Sequence, residues 1–157
     1  MSTPFSAYLI KIKATKSNVA ILAGVTKSRM NNLCNDSDAK PYADEFYKII
    51  YIANQMAGLG EESFNQAVNE IYPNRVKVDL LQEFKELSPE ARFFKKYTQK
   101  QSEIEKMLGI ANGKFSKYYS DPAKRALATE IIAFADGMNL DILSVFKEIY
   151  GEIEVKG

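Results

Sequence analysis

Histidine and tryptophan are absent from the 157 residues, and cysteine occurs once, as Cys34. Without histidine there is no imidazole base, no His-activated nucleophile and no imidazole metal ligand, and a lone thiolate does not complete a zinc site. One cysteine also excludes an intramolecular disulfide and suits a reducing cytoplasm. A phosphate-binding glycine loop is missing too, because Gly58-Leu-Gly60 is not followed by Lys and Ser or Thr. The longest apolar runs fall far short of the roughly 20 residues of a membrane span. The first residues carry no signal-peptide core. The pair Glu61-Glu62 reads as the acidic first turn of a helix, where it favours the dipole, and not as catalytic carboxylates. The expectation is a soluble cytoplasmic protein with no membrane association, no enzymatic activity, no cofactor and no metal. Only a partner chain supplying reactive groups would restore an enzyme.

What the chain does contain is apolar residues at 46%, enough for globular cores in one domain or two small ones. Its net charge of +1 conceals segregation: +4 over residues 1–41, −4 over 42–72, +5 over 73–126 and −4 over 127–157. Positive segments of this kind attract polyanions even in a near-neutral chain.

An internal repeat fixes the organisation. Sliding the chain by 85 positions brings Lys11 onto Lys96, Ser17 onto Ser102, Gly24 onto Gly109 and Asp36 onto Asp121. Apolar character is kept as well: Tyr8 meets Phe93, Leu9 meets Phe94, Val19 meets Ile104, Val25 meets Ile110, Met30 meets Phe115 and Leu33 meets Tyr118. Further on, an offset of 82 pairs Ile49-Ile50 with Ile131-Ile132, and 78 pairs Glu70-Ile71-Tyr72 with Glu148-Ile149-Tyr150. Helical periodicity divides each repeat into about five helices, near 5–13, 16–23, 27–34, 42–56 and 61–72, then 90–98, 101–108, 112–119, 123–137 and 141–150. The expected domains are 1–73 and 89–157. Between them, 74–88 reads as a connecting helix whose stripe of Val76, Val78, Leu80, Leu81, Phe84 and Leu87 packs on its own repeat, joins the two repeats or pairs two chains as a homodimer.

The most informative stretch is Ser17–Leu33. Val19, Ala20 and Ala23 lie on one helical face, Gly24 suits a left-handed helix stop, and Thr26 suits the cap of the next helix. Val25, Met30 and Leu33 then face inward, leaving Lys27, Ser28, Arg29, Asn31 and Asn32 outward. Taken with Thr15 and the fourth helix ending Ile52-Ala53-Asn54, this pattern resembles the phage repressor and Cro-like (XRE-type) helix-turn-helix family. The resemblance implies an all-α fold of two tandem lambda-repressor-like five-helix units. The second copy fits at Gln101, Ile104, Gly109, Ile110 and Phe115 but departs at Glu105, where the family has a small alanine, and at Ala111, which replaces the capping hydroxyl. Asn112 offers a cap one residue later. A carboxylate at position 105 must be paired or reach solvent. A degenerate second copy would serve packing or dimerisation.

The resemblance also implies roles. Lys16 and Ser17 match positions that hold phosphates, Lys27, Ser28, Arg29 and Asn32 match the base-reading face, and Asn35 and Lys40 match the loop that grips the backbone downstream. In the second unit the matching residues are Gln101, Ser102, Asn112, Gly113, Lys114, Lys117, Ser120, Lys124 and Arg125. The implied function is a sequence-specific transcriptional regulator that binds double-stranded DNA, its two units standing in for a dimer. Recognition helices one helical turn apart, roughly 34–36 Å, would then meet an imperfect palindrome with unlike half-sites. The alternative is a protein-interaction adaptor or antitoxin-like module that keeps the fold as scaffold, which the near-neutral charge and the departures in the second unit favour.

Overall fold

Short polar side chains set several helix starts. In the computed structural model, which describes residues 3–82 and 86–154 and, of Lys96, the backbone alone, Thr3 Oγ1 accepts the Ser6 amide at 3.1 Å and opens α1 (Pro4–Lys11). That hydroxyl donates to the Leu33 carbonyl at 2.8 Å, tying α1 to the end of α3. Then come α2 (Lys16–Ala23), α3 (Lys27–Asn35), α4 (Ala43–Met56) and α5 (Glu62–Ile71). The second half holds α6 (Pro89–Thr98), α7 (Gln101–Leu108), α8 (Lys114–Ser120), α9 (Ala128–Gly137) and α10 (Ile142–Tyr150). Among the described residues the fold is all-α, with no strand and no helix long and apolar enough to cross a membrane.

The core crosses the middle of the chain. Phe46 and Tyr47 of α4, Phe64 of α5 and Phe146 of α10 are fully buried. Their rings meet at 5.9 Å (Phe46–Phe64), 5.7 Å (Tyr47–Phe146) and 5.5 Å (Phe64–Phe146), within the range of favourable aromatic contacts. Ala128, Ile132 and Ala135 of α9 belong to this same cluster. Polar links reinforce it: Tyr47 Oη donates to the Gly151 carbonyl at 2.6 Å, and Asn65 Nδ2 donates to Asp141 Oδ1 at 2.6 Å while Asn65 Oδ1 accepts the Leu143 amide.

At the centre the two halves touch reciprocally. The Ala43 amide donates to the Ala126 carbonyl at 2.7 Å and the Ala128 amide to the Pro41 carbonyl at 3.0 Å, forming an isolated antiparallel bridge between Tyr42 and Leu127. Each residue in this exchange lies 85 positions from its counterpart. A twofold contact between two copies has this form. The helices that start there keep the same register, with Ala43, Tyr47, Ile50 and Ala53 buried at the positions of Ala128, Ile132, Ala135 and Met138. The offset of 82 read from Ile49-Ile50 and Ile131-Ile132 is therefore replaced by 85 over the fourth helices. A slip of three residues is nearly one helical turn, so it matches apolar with apolar and escapes a periodicity argument.

The segment after α5 departs from expectation. Glu83, Phe84 and Lys85 of the expected connecting helix lie outside the described residues, as do residues 155–157 of the charged tail. The preceding residues 75–79 are not helical. Arg75 pairs with Asp136 at 2.8 Å, and the Leu80 amide donates to the Gly137 carbonyl at 2.9 Å instead of to a helical neighbour. Leu80 is buried with Ile104 and Met138, and Val78, Leu81, Leu108, Phe115 and Phe134 pack around them. Val78 and Leu80, two apart along this non-helical segment, both reach the small core. Gly137 makes this fit, because a Cβ there would sit 2.7 Å from Leu80 Cγ and 2.9 Å from the Val78 carbonyl oxygen. A small second core thus forms around a strap from the linker. In the first half α1 packs against α3 and α5.

Two outcomes are expected. Phe146→Ala, in the second half, should cost about 3–5 kcal/mol and lower one cooperative transition in which α1–α5 unfold together with α9 and α10; two separate transitions by near- and far-ultraviolet circular dichroism would contradict the shared core. Asp141 caps α10 through the Ser144 amide at 3.0 Å, and its carboxyl is held below the usual aspartate range first by the Ser144 hydroxyl and then by Asn65. Its contribution is complete above the unfolded value of about 3.9 and is lost as pH falls through the lowered folded value. Chemical denaturation of Asp141→Asn against wild type should show a constant deficit at neutral pH that closes below about pH 4.

Candidate nucleic-acid interface

The turn between α2 and α3 is closed by backbone chemistry. Gly24 adopts φ of 71°, and the Val25 amide donates to the Ala20 carbonyl at 2.9 Å. This left-handed glycine stop satisfies carbonyls that the helix end leaves open. Gly109 repeats it at φ of 72°, with the Ile110 amide on the Glu105 carbonyl at 2.8 Å. Thr26 Oγ1 accepts the Arg29 amide at 3.1 Å and starts α3, whose inner side buries Met30, Leu33 and Cys34. Lys27, Ser28, Asn31, Asn32 and Asn35 are exposed on that helix, and Lys40 is exposed in the loop beyond it. At the start of α2, Ser17 is exposed, Lys16 is half-buried with its ammonium on Ser6 Oγ at 2.9 Å, and Thr15 supplies no side-chain cap, so first-turn amides are left without an intrahelical acceptor.

Arg29 does not join the outward group. Its Nε donates to Glu45 Oε2 at 3.0 Å and its Nη2 to Glu45 Oε1 at 2.9 Å and to the Lys40 carbonyl at 2.9 Å. Hydrogen bonding to Glu45 is the main reason its pKa is raised above the ordinary arginine value. Glu45 Oε1 also accepts the Tyr42 amide at 3.0 Å, the first amide of the fourth helix. One carboxylate therefore holds both the α3 guanidinium and the start of α4. Two guanidinium groups approach the Tyr42 ring, Arg29 at 5.5 Å and Arg125 at 4.1 Å from its centroid.

The second half repeats the arrangement 85 residues on. Lys114 pairs with Glu130, whose Oε1 accepts the Leu127 amide at 2.8 Å. Both members are largely buried. Arg125 crosses to the first half and pairs with Asp44 at 2.7 Å. Gln101, Ser102, Asn112, Lys117, Ser120 and Lys124 are exposed, with Gln101 Nε2 3.3 Å from Tyr119 Oη.

Glu105 resolves the question posed by its position. Buried at 2% exposure, it accepts the Gly113 amide at 3.0 Å and the Phe115 amide at 2.7 Å. It caps α8 from beneath, supplying the acceptor that Ala111 lacks. Asn112 accordingly is not the cap; it stands in the preceding turn. The residue at the cap position is Gly113, with φ of 84°, so α8 begins at Lys114 and this glycine does not interrupt a helix face. Tyr118 is half-buried beside Phe115, and burial, followed by the charge of Glu130, pushes its phenol up to about 12.

No family model, curated protein or solved structure matches the chain. Its own residues carry the assignment.

Glu45 and Glu130 are the site residues that sequence reading missed. A glutamate three positions into a helix signals a capping box after Ser or Thr, but here Tyr42 and Leu127 occupy the cap positions and hide it. Arg29→Ala is expected to cost about 1–3 kcal/mol by stranding Glu45, Glu45→Ala a similar amount, and the double variant little more than the larger single loss in denaturant melts. Additive losses would refute the coupling.

Proposed function

We propose that the chain is a double-stranded DNA-binding regulator built from two tandem repressor-like five-helix units, each with a helix-turn-helix, fused into an internal pseudo-dimer. The observation that carries this reading is the exposed α3 face of Lys27, Ser28, Asn31 and Asn32, presented after a glycine stop and a threonine cap, beside the open first turn of α2 with Lys16 and Ser17. Asparagine is suited to the N6 and N7 edge of adenine, and lysine to guanine or phosphate. Free helix amides suit a phosphate oxygen. The reciprocal contacts at Tyr42 and Leu127 support the pseudo-dimer, because they give two units one rotational relation without a second chain.

With Arg29 committed to Glu45 and Lys114 to Glu130, base discrimination in this reading falls to Asn31 and Asn32 in the first unit. Lys117, Lys124 and the exposed Lys27 and Lys40 supply backbone attraction. The two reading faces differ in chemistry, so the half-sites differ. A protein-interaction adaptor is the second reading, favoured by the withdrawal of these two cations from the outer surface.

Selection from a random duplex pool, followed by anisotropy titrations, tests the proposal. Asn32→Ala should cost about 1–3 kcal/mol on the selected duplex and relax the preference at one or two base pairs. Lys117→Ala should weaken all duplexes alike and reduce the slope of log affinity against log salt by about 0.9. Absence of binding to any duplex at low salt would leave the adaptor.

A further inference from the structure

The repeat leaves one interface unmade. In the first half, Tyr8 and Leu9 of α1 are buried, Ile12 packs beside them, and α1 lies against α5 with Lys11 paired to Glu70. Their counterparts at the offset of 85 are Phe93, Phe94 and Tyr97 on α6. These three are 51%, 63% and 74% exposed, and their rings touch only one another among the described aromatic contacts, at 5.4 Å. The linker strap with Leu80 has filled the small core of the second half, and among the described residues no helix covers this aromatic face.

The complementary half of the contact is also present and also open. Ile71, which is buried in the first half, corresponds to Ile149 of α10, which is 51% exposed, and the adjoining Tyr150 is 37% exposed. Glu148, the counterpart of Glu70, is exposed beside them, and Glu152 and Glu154 follow. The α6 segment 89–98 carries three basic residues and one acidic, and residues 148–154 three acidic, with the adjoining Lys147 paired to Glu61 and Glu152, so the two segments are opposite in net charge. Both sides of an α1·α5-type interface therefore exist in the second half without meeting.

We propose that α6 is a dimerisation element whose Phe93, Phe94 and Tyr97 face docks on the Ile149–Tyr150 end of α10 in a second copy of this chain, reciprocally. The first half provides the template for the contact. Aromatic side chains carry roughly 150–250 Å² each. At the observed exposures, full reciprocal coverage of these five residues would bury about 1,100 Å², just above the roughly 1,000 Å² that a specific interface must clear. The inference is independent of the DNA reading, since α3 and its exposed face take no part.

Crosslinking of the full chain tests it. Cys34 is buried at 1% exposure, so introduced thiols are the reactive ones. Mixing a chain bearing Tyr97→Cys with one bearing Ile149→Cys under mild oxidation should give a mixed disulfide dimer well above either variant alone. Wild type should sediment as a concentration-dependent dimer, and Phe94→Glu, at an exposed position, should remain folded by circular dichroism and shift to monomer with at least a tenfold weaker association. A doubly substituted chain that crosslinks only within itself would overturn the proposal in favour of closure of α6 on its own α10. A wild-type monomer without mixed crosslinks would overturn it outright. A dimer insensitive to Phe94→Glu would place the interface elsewhere and equally overturn it.

Discussion

Two amides and two carbonyls exchanged between residues 41–43 and 126–128 set the relation on which the rest of the molecule depends. They bring the first turns of α4 and α9 side by side, and from that point the buried faces of both helices enter one core with α5 and α10. Because the exchange pairs each residue with the counterpart of its own partner, it favours neither half. The hydrogen bonds are few, and most of the stabilisation comes from the aromatic residues behind them. Their role is registry: they decide which turns of α4 and α9 face each other, and the packing of Phe46, Tyr47, Phe64 and Phe146 follows.

The glutamates at positions 45 and 130 extend that registry outward. Each accepts the first amide of its helix and the cation of the helix before it. Where α3 and α8 sit is thus coupled to where α4 and α9 begin, and those are coupled to each other. The bidentate Arg29–Glu45 pair has few alternative arrangements, and the Lys114–Glu130 pair is held by its burial. The outward surfaces of α3 and α8 are thereby tied through α4 and α9 to one bridge, which under the proposed function would fix the spacing of paired reading sites.

Much of this was legible from residue spacing. The all-helical character, the glycine stops at 24 and 109, the Thr26 cap and the inward Met30 and Leu33 follow from local rules of periodicity and capping, and the structure has them, while Val25, also expected inward, is only half-buried and Cys34 is fully buried. What escaped was set by tertiary contact. Arg29 has the chemistry of a base reader, and only the approach of Glu45 withdraws it. Glu105 looked costly because its acceptors' partners, the Gly113 and Phe115 amides, come from the next turn of chain. The segment around Leu80 has an apolar stripe that reads as helical, yet the Leu80 amide donates to the Gly137 carbonyl of α9. Repeat register over the fourth helices was ambiguous by one turn until the bridge fixed it.

The glycine at the end of α9 has a wider meaning. Its counterpart across the repeat is Ile52, so the two halves differ at this point by a side chain on one and bare backbone on the other. The space left at Gly137 admits the Val78 carbonyl and the Leu80 side chain. That space decides which piece of the chain closes the second half. A Cβ at position 137 would meet both the Leu80 side chain and the Val78 carbonyl, so the strap lies where it does only because the backbone there is bare. The different closures of the two halves thus turn on the few atoms that a single Cβ would add.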